Sequence, residues 1–219
     1  MADLALPGNI QAAPAGLAGF DVNQPLTAAQ ALGFKNAGYA FCIRYVPRTP
    51  DLQAGNLTNA EAVDILSAGL ALMPVQHVAL PGWAPTTNLG TMYGNYAATY
   101  AKQVVGLPPG LNLWCDLEGV APGTTAQNVV NYCQAWHYAV HSAGFVPGIY
   151  VGYDVVLTPA QLNDELSFQH YWRAYNGPEV ATRGFQLIQQ LEKKLNGIEF
   201  DPDVAQVDEL GDSALWLAP

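Results

Sequence analysis

The chain has 219 residues, half of them hydrophobic and 12% charged, with a formal net charge of −10. That length and composition suit one large globular domain and exclude a disordered chain. Only eight Lys and Arg are spread along it, which argues against a nucleic-acid partner or adsorption to an anionic membrane and leaves room for a neutral ligand such as a sugar.

Met1 to Gly16 lacks a basic segment followed by a continuous apolar one, so no secretory signal peptide is expected; residues 1–15 read as an N-terminal extension and 16–219 as one domain. No run of eighteen apolar residues exists, so no membrane span is expected. The first strand is Leu17–Val22, followed by a helix over Thr27–Ala37 with Thr27 placed to cap it and Gly38 placed to end it. A strand at Ala40–Val46, a helix at Thr58–Ala68 ended by Gly69, and a strand at Leu72–Val78 come next. Then come a helix over Asn88–Val105, a strand at Leu111–Leu117, and a helix over Thr124–Ser142 ended by Gly144. The remaining strands are Pro147–Val151, His170–Ala174, Phe185–Gln189 and Ile198–Val204.

Strands alternating with helices at this spacing predict parallel βαβ units, and eight strands sit at the lower size limit of a closed barrel. The expected fold class is therefore α/β, a single (β/α)8 TIM-like barrel. Its last units are shortened or irregular, because the gaps after Ala174 and after Gln189 are too short for full crossover helices. An open doubly wound sheet is the competitor, but no Gly-rich phosphate loop follows the first strand. Cys42, Cys115 and Cys133 are odd in number, lack metal-ligand spacing and read as buried free thiols. Cys115 is expected to face the helices.

The strongest chemical signal is Leu113-Trp114-Cys115-Asp116-Leu117-Glu118. Side chains alternate along a strand, so Asp116 and Glu118 share one face, about 6.5–7 Å apart along the chain. Burial and like charge both resist ionisation of such a pair, so one member keeps its proton to higher pH and suits a general acid. Taken alone, the pair is equally a solvated Asp and Glu past a strand end. Asp21, ending the first strand, and Glu199, Asp201 and Asp203, alternating on the eighth, change that balance. In a closed barrel the first and eighth strands are neighbours, so acids from three strands would surround one mouth.

Gly19-Phe20-Asp21-Val22, Asp116-x-Glu118, Gly148-Ile149-Tyr150 and Phe200-Asp201 resemble the lysozyme-like glycoside hydrolase family 25. Gly55-Asn56-Leu57-Thr58, Gly106-Leu107-Pro108-Pro109-Gly110 and the stretch from Ala135-Trp136 to Gly144-Phe145-Val146-Pro147 are closer to the glycoside-hydrolase-like domain family DUF1906. The resemblance runs from Gly16 to about Gln206. It implies a barrel whose mouth hydrolyses β-1,4 bonds of peptidoglycan glycan strands, or descends from one that did. By position, Glu118 resembles the general acid, and Asp116 the partner that orients an acetamido group or stabilises positive charge. Asp21 and Asp201 resemble flanking acids of the site.

Aromatics at strand ends can stack on sugar rings, although each can equally be core. Tyr45, Trp83, Tyr150, Tyr153, Trp172 and Tyr175 stand in such positions, with Trp83 on a loop after the third strand the best placed. Gln189 and Gln190 are candidates for bonds to sugar hydroxyls or a catalytic acid, Arg44 for pairing with a site carboxylate or a structural partner, and His77 for reaching the mouth. Trp83, Tyr150, Tyr175, Gln189, Arg44 and His77 form the expected substrate-binding set. His137 and His141, four apart on a helix, are half of a metal pattern, but Tyr138 stands where a zinc protease has Glu, so no metal or cofactor is expected. A non-catalytic glycan-binding barrel and a metal-dependent polysaccharide deacetylase are the alternatives. Action at the cell wall would follow synthesis in the cytoplasm and release by lysis, as for a phage endolysin, or by a dedicated secretion system. The sequence carries no signal for an oligomeric state.

Overall fold

In the computed structural model, residues 5–52 and 55–219 are described, and Met1–Leu4 of the expected N-terminal extension lie outside them. Each expected strand forms within two residues of its expected bounds. β2 (Ala18–Val22), β3 (Phe41–Val46), β4 (Ala71–Gln76), β5 (Asn112–Leu117), β6 (Val146–Val151), β7 (His170–Arg173) and β8 (Leu187–Gln189) run parallel in that order. β10 (Ile198–Ala205) closes the ring between β8 and β2.

That last strand corrects the all-parallel expectation: β10 is antiparallel to both neighbours, so the closed barrel is mixed. Only residues 190–197 separate β8 from β10, and a parallel return needs a dozen or more. The chain reverses through β9 (Lys193–Leu195), which forms a hairpin with β10 around Asn196-Gly197. Both turn residues have positive φ, 51° and 83°, the backbone a two-residue hairpin turn demands.

Helices cover the outside of the early strands. α1 (Ala28–Asn36), α2 (Asn59–Ser67), α3 (Thr87–Tyr100) and α4 (Ala126–Ser142) follow β2 to β5, and a short α5 (Pro159–Asp164), absent from the expected elements, follows β6. A threonine caps each one: the hydroxyls of Thr27, Thr58, Thr86, Thr125 and Thr158 accept backbone N–H groups of the first turn. α3 ends in a π-helical turn over Ala101–Val105, closed by Gly106 at φ 85°.

Strand alternation divides the core in two. Phe20, Cys42, Leu72, Leu113, Cys115, Ile149 and Tyr171 face outward and pack under the helices. Cys115 thus lies on the helix-facing side, its Sγ 4.0 Å from Tyr132 Oη on α4. Phe41, Ile43, Met73, Trp114, Tyr150, Trp172 and Leu187 fill the barrel. Gly19 and Gly148 make this filling possible, because a Cβ on either would overlap the rings of Phe41 and Trp114 respectively. At the base, β1 (Asn9–Ala12) pairs antiparallel with β11 (Leu215–Ala218), which joins β4 at Leu72. Trp216 packs there against Phe41, ring centroids 5.3 Å apart.

Candidate active site

At the opposite end the inward positions turn acidic. Asp21 on β2 stands directly across from Asp201 on β10. Asp116 ends the inward row of β5, and Glu118 follows two residues on. Because β10 runs backwards, Asp201 reaches the mouth from the first half of its strand, not from its C-terminal end as the all-parallel reading requires. The outermost acid of that row, Glu199, is exposed and pairs with Lys194 at 3.2 Å. Asp203 is buried deeper, where Trp172 Nε1 donates to its Oδ1 at 2.8 Å.

Gln189 organises one side of this rim. Its Nε2 donates to Asp21 Oδ2 at 2.8 Å and to Asp201 Oδ2 at 3.4 Å, while its Oε1 accepts from Tyr150 Oη at 2.8 Å. Tyr45 Oη donates to the other oxygen of Asp21 at 3.1 Å. Even so bonded, Asp21 is pushed up to about 7. Burial is the main cause, and the nearby charges of Asp201 and Glu118 add to it against the opposing bonds from Gln189 and Tyr45.

Asp116 is held well above the usual carboxylate range by burial and by the charges of Glu118 and Asp21, with the nearby Val78 backbone N–H opposing the rise. Its Oδ1 is buried without a hydrogen-bond partner among the described residues. Burial, then Asp201, raises Glu118, which remains partly exposed. Burial and Glu192 raise Asp201. Five carboxyl groups, counting Asp203, cannot all ionise cheaply in so small a space, so some of them hold protons at neutral pH.

Gly152, the next inward position after Tyr150, has no counterpart in the expected site. A Cβ there would overlap Glu118 Oε2 and lie 2.5 Å from Glu118 Cβ, so the glycine leaves the space that Glu118 occupies. Its trace in the sequence is a small residue at an inward strand position facing a carboxylate. The segment after β5 is pinned as well: Trp83 Nε1 donates to the Glu118 carbonyl at 2.9 Å, and the Gly119 and Val120 N–H groups donate to Tyr153 and Asp154 carbonyls.

The expected ligand-contacting residues divide. Tyr150 and Gln189 join the acid network, and His77 packs on Tyr45 with ring centroids 4.7 Å apart. Burial and the neighbouring Arg44 and Arg48 lower His77 to about 4, so it is neutral at pH 7. Trp83, partly exposed, stacks edge-on against Tyr132 and fastens the Glu118 segment through its indole N–H. Tyr175 is exposed on the loop after β7. Arg44 does not face the mouth. An even-numbered position on β3 points to the helices, and Arg44 is fully buried, paired with Glu61 of α2 at 2.6 Å and bonded to the Val22 and Gly55 carbonyls.

A cavity of about 510 Å3 opens beside Asp21 and Asp201, lined also by Asn23, Gln24, Tyr45 and Glu192. Asp116 and Glu118 are outside its lining. Among the described residues, no three His, Cys, Asp or Glu side chains are arranged to hold a metal ion.

Known structures share this architecture at low identity, which speaks for the fold alone. The Tat-secreted protein Rv2525c of Mycobacterium tuberculosis, solved in complex with L-tartrate, is 16% identical with a TM-score of 0.67, covering 91% of this chain and 99% of that one. A family 25 glycosyl hydrolase from Bacillus anthracis is 13% identical with a TM-score of 0.57, covering 87% and 89%. A muramidase from Acremonium alcalophilum is 14% identical with a TM-score of 0.53, covering 84% and 92%. No curated protein matches the chain. The model of the Rv2525c-like, glycoside hydrolase-like domain matches residues 32–209. With the acid-rimmed mixed barrel, that match assigns the chain to the Rv2525c-like glycoside hydrolase-like family, the DUF1906 family its sequence resembles.

Proposed function

We propose that the mouth hydrolyses the glycan strands of peptidoglycan, with Glu118 as general acid. The observation that carries this reading is the gathering of Asp21, Asp116, Glu118 and Asp201 on one rim, where Glu118 is both reachable from solvent and raised above the ordinary glutamate range. A glutamate in that state holds a proton at a pH where an ordinary one has lost it, and can give it to a glycosidic oxygen. As that bond breaks, positive charge develops on the departing sugar carbon. A carboxylate opposite, Asp116 or Asp201, stabilises it, activates water or supports the acetamide of the substrate as nucleophile. Asp201 is the less buried of the two and therefore the easier to keep ionised. Asp21, clamped between Tyr45 and Gln189, flanks the reacting groups. The similarity to a muramidase and a family 25 hydrolase supports this choice of substrate. Action at the wall would follow release by lysis or a dedicated secretion system.

A second reading, a glycan-binding barrel without turnover, is favoured by one observation: the cavity lies beside Asp21 and Asp201, not around Glu118. Purified bacterial cell walls separate the two. Hydrolysis should release new reducing ends and muropeptides of defined mass, and Glu118→Gln should cut that release at least about 100-fold while the far-ultraviolet spectrum stays unchanged. Undiminished release by the variant ends the assignment of Glu118. Wall binding without any products supports the second reading.

A further inference from the structure

Toward the base of the barrel, away from the acids, three of the chain's four histidines line a single cavity of about 320 Å3. His137 and His141 lie one helical turn apart near the end of α4, their rings 6° from parallel with centroids 6.0 Å apart. The His137 ring stands edge-on to Phe168. His170, the first residue of β7, forms the inner wall. It is 8% exposed, and its Nδ1 has no hydrogen-bond partner among the described residues. Buried polar atoms are rarely left in that state.

We propose that this cavity binds a borderline transition-metal dication, with Zn2+ the first candidate, chelated by His137 and His141 and completed by His170. Residues four apart on a helix share one face, so both imidazoles of α4 can reach the same ion. With metal–nitrogen distances of about 2.1 Å, two imidazoles on one tetrahedral ion have centroids roughly 5 Å apart. The rings stand nearly parallel at 6.0 Å, so both side chains must rotate before their in-plane lone pairs meet on one ion. No three ligands already converge among the described residues, so the three side chains must turn toward one another as the ion binds. The lining holds imidazoles and no carboxylate, which suits Zn2+, Ni2+ or Cu2+ and disfavours Mg2+ and Ca2+. A bound ion would staple the last turn of α4 to the chain entering β7, apart from the sugar chemistry and independent of it.

Calorimetric titration of the chelator-treated full chain with ZnCl2 tests the site. A single ion should bind per chain, Mg2+ should not compete, and His137→Gln and His141→Gln should each weaken binding at least about tenfold. Zn2+ should also raise the thermal midpoint of the parent chain and leave that of the double variant H137Q/H141Q unmoved. His141 is exposed and His137 only partly buried, so the double variant should keep its fold, which its circular dichroism checks. No binding by the parent chain overturns the proposal, as does equal affinity in the double variant. Binding lost instead in Asp21→Asn/Asp201→Asn places the ion in the mouth and overturns it too.

Discussion

The two ends of the barrel are built from the same inward-facing positions and differ in polarity, the base mostly apolar and the mouth acidic. Read from base to mouth, β2 presents Gly19 then Asp21, and β5 presents Asn112, Trp114, Asp116 and then Glu118 beyond its end. β10 runs the other way, so the same order reads backwards in sequence as Ala205, Asp203, Asp201, Glu199. The apolar steps meet Phe41, Met73 and Trp216 in a close-packed plug, and the acidic steps meet one another. Packing dominates at the base, although the Trp216 Nε1 is buried there without a hydrogen-bond partner among the described residues. Electrostatics dominates at the mouth, where burial of like charges is unfavourable and is sustained by the plug beneath. The base supplies stability that the mouth consumes.

Removing the plug should therefore be the costliest change to the fold. Trp216→Ala vacates a buried indole at the base and should destabilise the chain by about 3–5 kcal/mol in denaturant titration. Because the plug is remote from the rim, activity per folded molecule should remain. Loss of activity in fully folded W216A would show that the two ends are coupled.

Gly152→Ala attacks the mouth by the same steric logic. The added methyl meets the Cβ of Glu118 as well as its carboxyl, so rotation of the glutamate alone does not relieve the overlap. Wall hydrolysis should drop on the order of 100-fold, as misplacement of a reacting group by about an ångström does. The stability cost should be about 1–3 kcal/mol, typical of overpacking. Parent-level hydrolysis would mean that Glu118 acts from another position.

Much of this contrast was legible in the sequence, because it depends on alternation. The apolar runs mark the strands, threonine and glycine mark helix starts and stops, and Asp116-x-Glu118 places two acids on one face whatever surrounds them. Strand direction was harder, since alternation reads the same both ways. The signal for the reversal is local: Asn196-Gly197 supplies two residues tolerant of positive φ, and the span from β8 is too short for a crossover. Arg44 shows the opposite failure. An arginine in a strand near acids invites pairing with them, yet parity on β3 sends it outward to Glu61, and parity is the stronger rule. Gly152 was hidden for a different reason, since a glycine's role is the space it leaves and that is defined only by the side chain that fills it.

The electrostatic cost of the mouth has a sign that can be measured. Asp21, raised to about 7 from an ordinary value of 3.8, keeps its proton when folded over a range where the unfolded chain has released it. Stability should thus be greatest near pH 4 and fall as the pH rises to about 7, by on the order of 1–4 kcal/mol from this group. Asp116 acts in the same direction. Asp116→Asn cannot ionise and should be more stable than the parent by about 1–3 kcal/mol at pH 8, with the difference narrowing toward pH 4. A parent chain that gains stability between pH 4 and 7 would contradict the buried, proton-holding state of these acids.

The smallest effect isolates a single charge. After burial, the charge of Asp201 is what raises Glu118. Replacing Asp201 with Asn keeps the shape and removes that repulsion, so Glu118 should lose its proton at lower pH. The alkaline limb of the hydrolysis profile should move down in pH, because the general acid works only while protonated. If Asp201 also stabilises the developing positive charge, the rate at the optimum should fall in addition to that displacement. A displaced limb with an unchanged maximum would assign charge stabilisation to Asp116 and leave Asp201 as a tuner of Glu118. A limb that stays in place would mean that the two groups do not sense each other across the mouth.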